Sequence, residues 1–250
     1  RPPQSGASGV SALDSITPIT PAVNQYETCL RCHGTSVGKQ RMLIFGYAPI
    51  RVVSAPDPLN IIPELASTAT SSHPVTHSRS SSLPQPSLLV NMLDEKGLAS
   101  ARLVGTQIFC TDCHNSDDNR EFGGTGPNGP HGSVNSHILE RNYQFSQAAV
   151  PGGPVTNLFP NPDTSVAGPF SLCAKCHDLT QIFANTSFPQ HSLHSYQYGF
   201  SCSVCHTAHG MGAISPTITG ERLMNVDANV VAPNGTARIA YNRGANTCTL

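Results

Sequence analysis

Residues 202–209 read Cys-Ser-Val-Cys-His-Thr-Ala-His, two thiols and two imidazoles within eight positions. A Cys-x-x-Cys pair holds half of a zinc site or anchors a haem through two thioether bonds, the following His then serving as an axial iron ligand. The pattern recurs. Cys29-Leu-Arg-Cys32-His33, Cys110-Thr-Asp-Cys113-His114, Cys173-Ala-Lys-Cys176-His177 and Cys202-Ser-Val-Cys205-His206 use eight of the nine cysteines. Neither zinc nor a disulfide framework requires a His directly after every second Cys. With 11 His in 250 residues, that placement four times over by chance is on the order of one in several hundred thousand. The spacing predicts four covalently attached c-type haems (haem c).

The second axial ligand decides between carrying electrons and doing chemistry. Outside the motifs lie seven histidines, His73, His77, His131, His137, His191, His194 and His209, and four methionines, Met42, Met92, Met211 and Met224. Seven candidates for four positions favour bis-His, six-coordinate iron over an open catalytic haem. Such ligation sets potentials below those of His/Met cytochromes. Three residues beyond His206 span at most about 10–11 Å. That barely matches the separation across a haem, and the Cys205 thioether holds the chain on the wrong face, so His209 reads as the ligand of a neighbouring haem. His73 precedes Pro74 in an expected structureless loop, where a ligand bond offsets ordering entropy. Gly129-Pro130 and Gly132 flank His131 and let backbone approach a haem edge. His191 and His194 are one helical turn apart; one is expected on iron, with His194 preferred, the other on a propionate or in solvent. His77 and His137 read as non-ligating, and the methionines as packing against haem faces.

The elements that must position these ligands are sparse. Charged residues make up 12% of the chain, about half the usual share of roughly 25%. There is no Trp, and Gly and Pro number 21 each. Such a chain has little from which to build a side-chain core. The expected fold is a multihaem cytochrome c over residues 1–250, mostly coil with short helices, its core a row of four haems. Two sub-halves, 24–150 and 151–250, repeat the order motif, His, motif, His-Gly. The Ser/Thr/Pro-rich stretch 67–87 is expected as loop. Apolar spacing predicts a helix over 88–104 and shorter ones over 137–145 and 177–184. Residues 223–231 and 236–241, around Ala-Pro-Asn-Gly, predict a small C-terminal β-hairpin.

A net charge of −1 gives no reason to expect nucleic acid or an acidic membrane surface. No apolar run approaches the roughly 18 residues of a membrane span. The opening Arg-Pro-Pro-Gln-Ser-Gly reads as a mature or trimmed start. Haem attachment of this type implies an exported, extracellular or cell-surface protein. Asn185-Thr-Ser and Asn234-Gly-Thr are glycosylation sequons, chance matches being the plainer reading.

The run Cys-x-x-Cys-His…Ser-Ser-His-Pro-Val…Cys-Thr-Asp-Cys-His-Asn-Ser-Asp…Gly-Pro-His-Gly-Ser, with the later Pro-Gln-His-Ser-Leu-His and Cys-Ser-Val-Cys-His-Thr-Ala-His-Gly, resembles the doubled Cys-x-x-Cys-His multihaem cytochromes. Four haems on this length resemble, within these, the tetrahaem cytochromes that polymerise into extracellular nanowires. The resemblance implies bis-His haems in alternating parallel and T-shaped pairs, with His73, His131, His194 and His209 as distal ligands. It implies a homopolymer that exchanges electrons with redox proteins or extracellular acceptors, and no enzyme activity. Soluble shuttles share the motifs, and a reductase with one open haem is the third reading. Sparse charge and long neutral segments at 1–23 and 67–87 favour polymerisation, with His73 the first candidate for a ligand donated to a neighbouring subunit. Cys248 is left over; Asn-Thr-Cys-Thr-Leu resembles the start of a further haem site, in a gene running past Leu250 or in a lineage that lost the site, the plainer reading being an ordinary thiol.

Overall fold

The computed structural model describes residues 6–14, 16–35, 51–53, 57, 60–78, 87–89, 106–120, 123–144, 168–212, 220–235, 239–242 and 244–249. Over these residues the chain is mostly coil, with short helices and two-stranded antiparallel sheets. In chain order they are β1 (Gly9–Val10), β2 (Pro18–Ile19), α1 (Gln25–His33), α2 (Ile62–Leu65), β3 (Ser71–Ser72), α3 (Leu179–Phe183), α4 (Cys202–Cys205), β4 (Gly210–Met211), β5 (Ala240–Asn242) and β6 (Thr247–Thr249). A π-helical turn occupies Ser192–Gln197, and 3-10 turns occupy Cys110–Asp112, Ser136–Ile138, Cys173–Lys175 and Glu221–Leu223. The strands pair β1 with β2, β3 with β4 and β5 with β6. Two compact units result: residues 1–78, 107–110 and 205–250 form one, residues 79–106 and 111–204 the other.

In the first unit, α1 starts where Glu27 reaches back to the residues before the helix. Its Oε2 accepts from the amides of Val23 (2.7 Å) and Asn24 (3.0 Å), and Oε1 from the Asn24 side chain (2.8 Å). These are donors that a helix start otherwise leaves unpaired. Gly9 in β1 packs on this residue so closely that an added Cβ would lie 2.7 Å from the Glu27 Cβ. Strand β3 is fixed by a buried hydroxyl: Ser71 Oγ donates to the Gly220 carbonyl and accepts from Leu223 N (2.8 Å). A Cβ on Gly210 in β4 would collide with the Glu64 carbonyl of α2 and approach the Ser71 carbonyl to 2.8 Å. Only glycine lets these main chains meet.

In the second unit, Asp178 caps α3 by accepting from Gln181 N (3.1 Å), and Leu179 packs with Phe170 and Ala174. Phe183 meets Phe170 edge-on at 5.4 Å and Tyr196 at 5.8 Å. Among the described residues of the whole chain, buried polar or charged side chains equal buried apolar ones, 14 of each. That is a thin apolar interior by the standard of globular cores. No helix among them is long and apolar enough to cross a membrane.

Several sequence expectations shift. The helix expected over 177–184 forms as α3. No α-helix forms over 137–144: beyond the 3-10 turn, in which His137 and Ile138 take left-handed backbone, Leu139 is extended and the chain bends at Glu140 and Arg141. Of the helix expected over 88–104, residues 90–104 lie outside the described residues, and Leu88 instead bridges to His177. The stretch 67–78 is no plain loop, because buried Ser71 and Ser72 form a strand. The C-terminal hairpin sits further along than expected: Tyr241 faces Cys248 rather than a residue of 223–231, around a turn in which Asn246 takes φ 53°.

Burial works to raise the Glu27 carboxyl, but the hydrogen bonds from Asn24 and Val23 outweigh it and hold the group below its usual 4.5. Its stabilisation is therefore present above that value and lost as pH falls through the lower folded value. Thermal melts of Glu27→Ala should show a loss of about 1 kcal/mol near neutral pH, shrinking toward zero in strong acid.

Candidate functional site

Each motif sits on a single tight turn. Cys29, Cys32 and His33 end α1, Cys110 and Cys173 open 3-10 turns, and Cys202 and Cys205 bound α4. Residues three apart share a face on a helical turn and eclipse on a 3-10 turn, so the two thiols of a pair lie on one side of their turn. No disulfide joins any of the nine cysteines. The thiol of Cys29 hydrogen-bonds that of Cys110, which holds Cys29 below its ordinary value. Cys173 and Cys202 form a second such pair, in which Cys173 is pushed up and Cys202 down. Burial pushes Cys113 up to about 12, against Lys175 and with the help of Cys176. Cys29 and Cys110 are thus neighbours in the first unit, as are Cys173 and Cys202 in the second, where Cys113 also feels Cys176.

Ring orientation carries most of the information. Nδ1 of His73 lies 2.5 Å from the Ala208 carbonyl, that of His114 2.9 Å from His137, that of His194 2.9 Å from Gln190 and that of His206 2.9 Å from Arg222. A carbonyl oxygen only accepts, so each Nδ1 donates and each ring carries its lone pair on Nε2. His209 Nδ1 lies 3.3 Å from a Glu64 carboxylate oxygen, so this ring too turns Nδ1 to an acceptor. A metal-binding histidine needs a lone pair on one nitrogen and an orienting partner on the other. Burial lowers both His73 and His206, helped by His209 at the first and by Arg51 and then His73 at the second, while the Ala208 and Arg222 carbonyls pull the other way.

Of the eight proposed ligand histidines, His33, His73, His206 and His209 belong to the first unit and His114, His131, His177 and His194 to the second. In the first, β3–β4 pairing joins the two distal candidates, with His73 N donating to the His209 carbonyl (2.9 Å). His73 therefore occupies no slack loop, which corrects that expectation. Ile61 N donates to the His33 carbonyl (3.1 Å).

In the second unit, residues between the motif and His131 are pinched at their base. Ser116 N donates to the Gly129 carbonyl (3.0 Å), and Gly129 N to Asn115 Oδ1 (2.7 Å). His131 thereby re-enters beside its motif, much as His209 follows His206. Leu89 N donates to the Cys176 carbonyl (2.8 Å), beside His177. His194 lies in the π turn, exposed, while His191 is half-buried against Phe188 at 5.3 Å. His77 contacts Thr76 Oγ1 at 3.2 Å, and His137 contributes its carbonyl rather than its ring to His114. Asn185 is exposed and left-handed, its Oδ1 accepting from Ser192 N (2.7 Å); Asn234 and Cys248 are exposed.

Among the described residues, no three or more His, Cys, Asp or Glu side chains converge as a protein-only metal site requires. A c-type haem asks the protein for two axial nitrogens on its iron and two thiols for its covalent attachment, and this donor set, with Nε2 turned away from the Nδ1 partner, fits that group. Sequence reasoning missed the partners behind the rings: the Ala208, His137, Arg222 and Gln190 carbonyls and Glu64. Main-chain carbonyls leave no sequence signal. It also missed the buried Lys175–Glu140 ion pair (2.8 Å), where Lys175 Nζ donates to the Asp112 carbonyl (2.6 Å) and Asn115 to Glu140 (3.2 Å). No protein-family model, no curated protein and no solved structure matches the chain.

Burial raises the Glu140 carboxyl, and Lys175 works against that rise. Lys175→Met should strand the buried carboxylate and cost about 3–5 kcal/mol. The double variant Lys175→Met/Glu140→Leu should recover most of the loss, as read from denaturant unfolding of the haem-loaded protein.

Proposed function

We propose that this chain transfers electrons through four haem c groups, each attached by one Cys-x-x-Cys-His motif and ligated by two histidines, and that it is the subunit of an extracellular homopolymeric filament. The observation that carries the electron-transfer reading is the shared ring orientation. Five of the eight ligand histidines, from motifs and from distal positions alike, direct Nδ1 at an oxygen acceptor and so present Nε2. When bound, the haems supply reversible one-electron iron chemistry. The chain's own part is to hold imidazoles so that oxidation changes no ligand, which keeps reorganisation small. Two histidines per iron leave no position for a substrate, so the protein is read as no enzyme.

The equal division of the eight histidines, four per unit, supports ligation within each chain. So does the anchoring of His73 to Ala208 and His209, and the distal ligands are read as cis rather than donated by a neighbouring subunit. Attachment outside the cytoplasmic membrane places the protein at the cell exterior, with redox proteins or extracellular acceptors as its electron partners. The filament reading rests on the sequence resemblance and on a surface poor in charge, 14 basic and 15 acidic side chains in 250 residues. Leu13, Ile16 and Val23 add apolar surface at 95%, 70% and 67% exposure.

The intact mass of the secreted protein should correspond to four haems, and Cys29→Ala/Cys32→Ala should reduce that to three. Carbon monoxide should leave the reduced spectrum unchanged, and electron microscopy should show fibres. A haem-loaded monomer without fibres indicates the soluble shuttle, and stoichiometric carbon monoxide binding at one haem indicates a reductase. A haem-free chain with Cys29 bridged to Cys110 contradicts the proposal outright.

A further inference from the structure

Two pairs of consecutive residues stand in left-handed backbone: His137 (φ 63°) with Ile138 (φ 53°), and Arg222 (φ 58°) with Leu223 (φ 61°). Positive φ is uncommon outside glycine, and a β-branched residue there is an outlier. His is among the types enriched in that region, but Ile138, Arg222 and Leu223 are not. Ile138 is 41% exposed, so packing of its side chain does not explain its conformation. Tertiary contacts must impose it.

The contacts are the same in both places. The carbonyl of the first left-handed residue accepts Nδ1–H of a motif histidine: His137 from His114, Arg222 from His206, each at 2.9 Å. Three residues further on, an amide donates to the carbonyl of the cysteine directly preceding that histidine: Glu140 N to Cys113 and Asn225 N to Cys205, each at 2.9 Å. That third residue is in both cases a buried polar one whose side chain ties down other chain: Glu140 accepts from Asn115, and Asn225 exchanges two hydrogen bonds with the Val53 main chain. The register is identical although the sequences are not, His-Ile-Leu-Glu against Arg-Leu-Met-Asn. Connecting lengths differ as well, since His137 follows its motif histidine by 23 positions and Arg222 by 16.

We infer that these segments are two copies of one positioning device, a two-point clamp that grips Cys113-His114 and Cys205-His206 by ring and main chain. It sets the rotation of each imidazole about its bond to iron and raises the ring's basicity through the donated Nδ1–H. Ile138 and Leu223 are its positioning residues, because their left-handed backbone turns the preceding carbonyl onto the ring. The inference rests on the haem reading above and adds that the haems of the second and fourth motifs carry rotationally fixed histidines.

The test is made at position 138, since Leu223 N also serves Ser71. Glycine adopts positive φ without penalty. Proline fixes φ near about −65° and forces the preceding residue out of helical backbone, so the clamp cannot form. In haem-loaded protein, Ile138→Gly should leave the electron paramagnetic resonance spectrum unchanged and the melting temperature equal or higher. Ile138→Pro should keep four haems by intact mass, alter one of the four low-spin signals and move one midpoint potential to a more positive value, because the ring loses basicity. In the reduced parent protein, nuclear magnetic resonance should find the Nδ1 protons of His114 and His206 exchanging slowly with solvent. A folded Ile138→Pro variant with parental signals and potentials overturns the clamp, as does an altered spectrum in Ile138→Gly. Should the proline variant not fold, fast exchange of those two protons overturns it and slow exchange supports it. Absence of haem from the parent defeats the electron-transfer reading instead, a result that intact mass separates from all the others.

Discussion

A hydrogen bond from a histidine Nδ1 to a main-chain oxygen is the interaction on which the arrangement of this chain turns. In a regular helix or sheet nearly every carbonyl is already engaged by backbone amides. A chain that must present an acceptor behind many imidazoles therefore gains from having little regular structure. The acceptors are placed accordingly. Ala208 lies in the connection before β4, and His137 and Arg222 lie in turns made of left-handed residues. Only Gln190 accepts at a helical turn, and there the carbonyl receives both the amide and the ring of His194. On the proposed reading, the coil-rich fold follows from orienting rings.

The same economy governs the interior. With few large apolar residues, the described chain is fixed by small buried polar groups that each satisfy a particular main-chain atom. Ser203 donates to the Gln144 carbonyl (2.5 Å), Ser171 to that of Asn142 (3.1 Å) and Asn119 to that of Ser116 (2.6 Å). Within the first unit, Arg51 donates to the carbonyls of Asn225 (2.7 Å) and His206 (3.2 Å). Such bonds contribute about 1 kcal/mol each when made and cost more when a partner is removed. They specify positions more than they supply cohesion, and burial against haem faces would supply the cohesion that the side chains lack.

The candidate chemistry stands out in the sequence because its signals are local. Four Cys-x-x-Cys-His motifs need only their own spacing to be read, and the apolar spacing over 177–184 sufficed for α3. The candidate distal histidines stand out as a count and an order, and the structure adds the carbonyls that the His73 and His194 rings address and the carboxylate beside His209. Failures came where tertiary demand overrode local pattern. His137 to Phe145 carries helix-compatible residues, yet the His137 carbonyl is turned to His114 and the helix is forfeited. Ser71 and Ser72 look like loop by composition, yet the Ser71 hydroxyl and the backbone pairing with β4 bury them. The hairpin slid along the chain because Thr247–Thr249 offers a strand partner closer in sequence to Tyr241 than residues 223–231 do.

The central claim is that every iron in this protein is held by two imidazoles and is closed to other ligands. An iron Mössbauer spectrum of the fully reduced protein, grown on isotopically enriched iron, reads the spin state of all irons at once. The account predicts a single class of low-spin ferrous iron equivalent to four per chain. A high-spin ferrous component amounting to one iron in four would mark an open haem and contradict it.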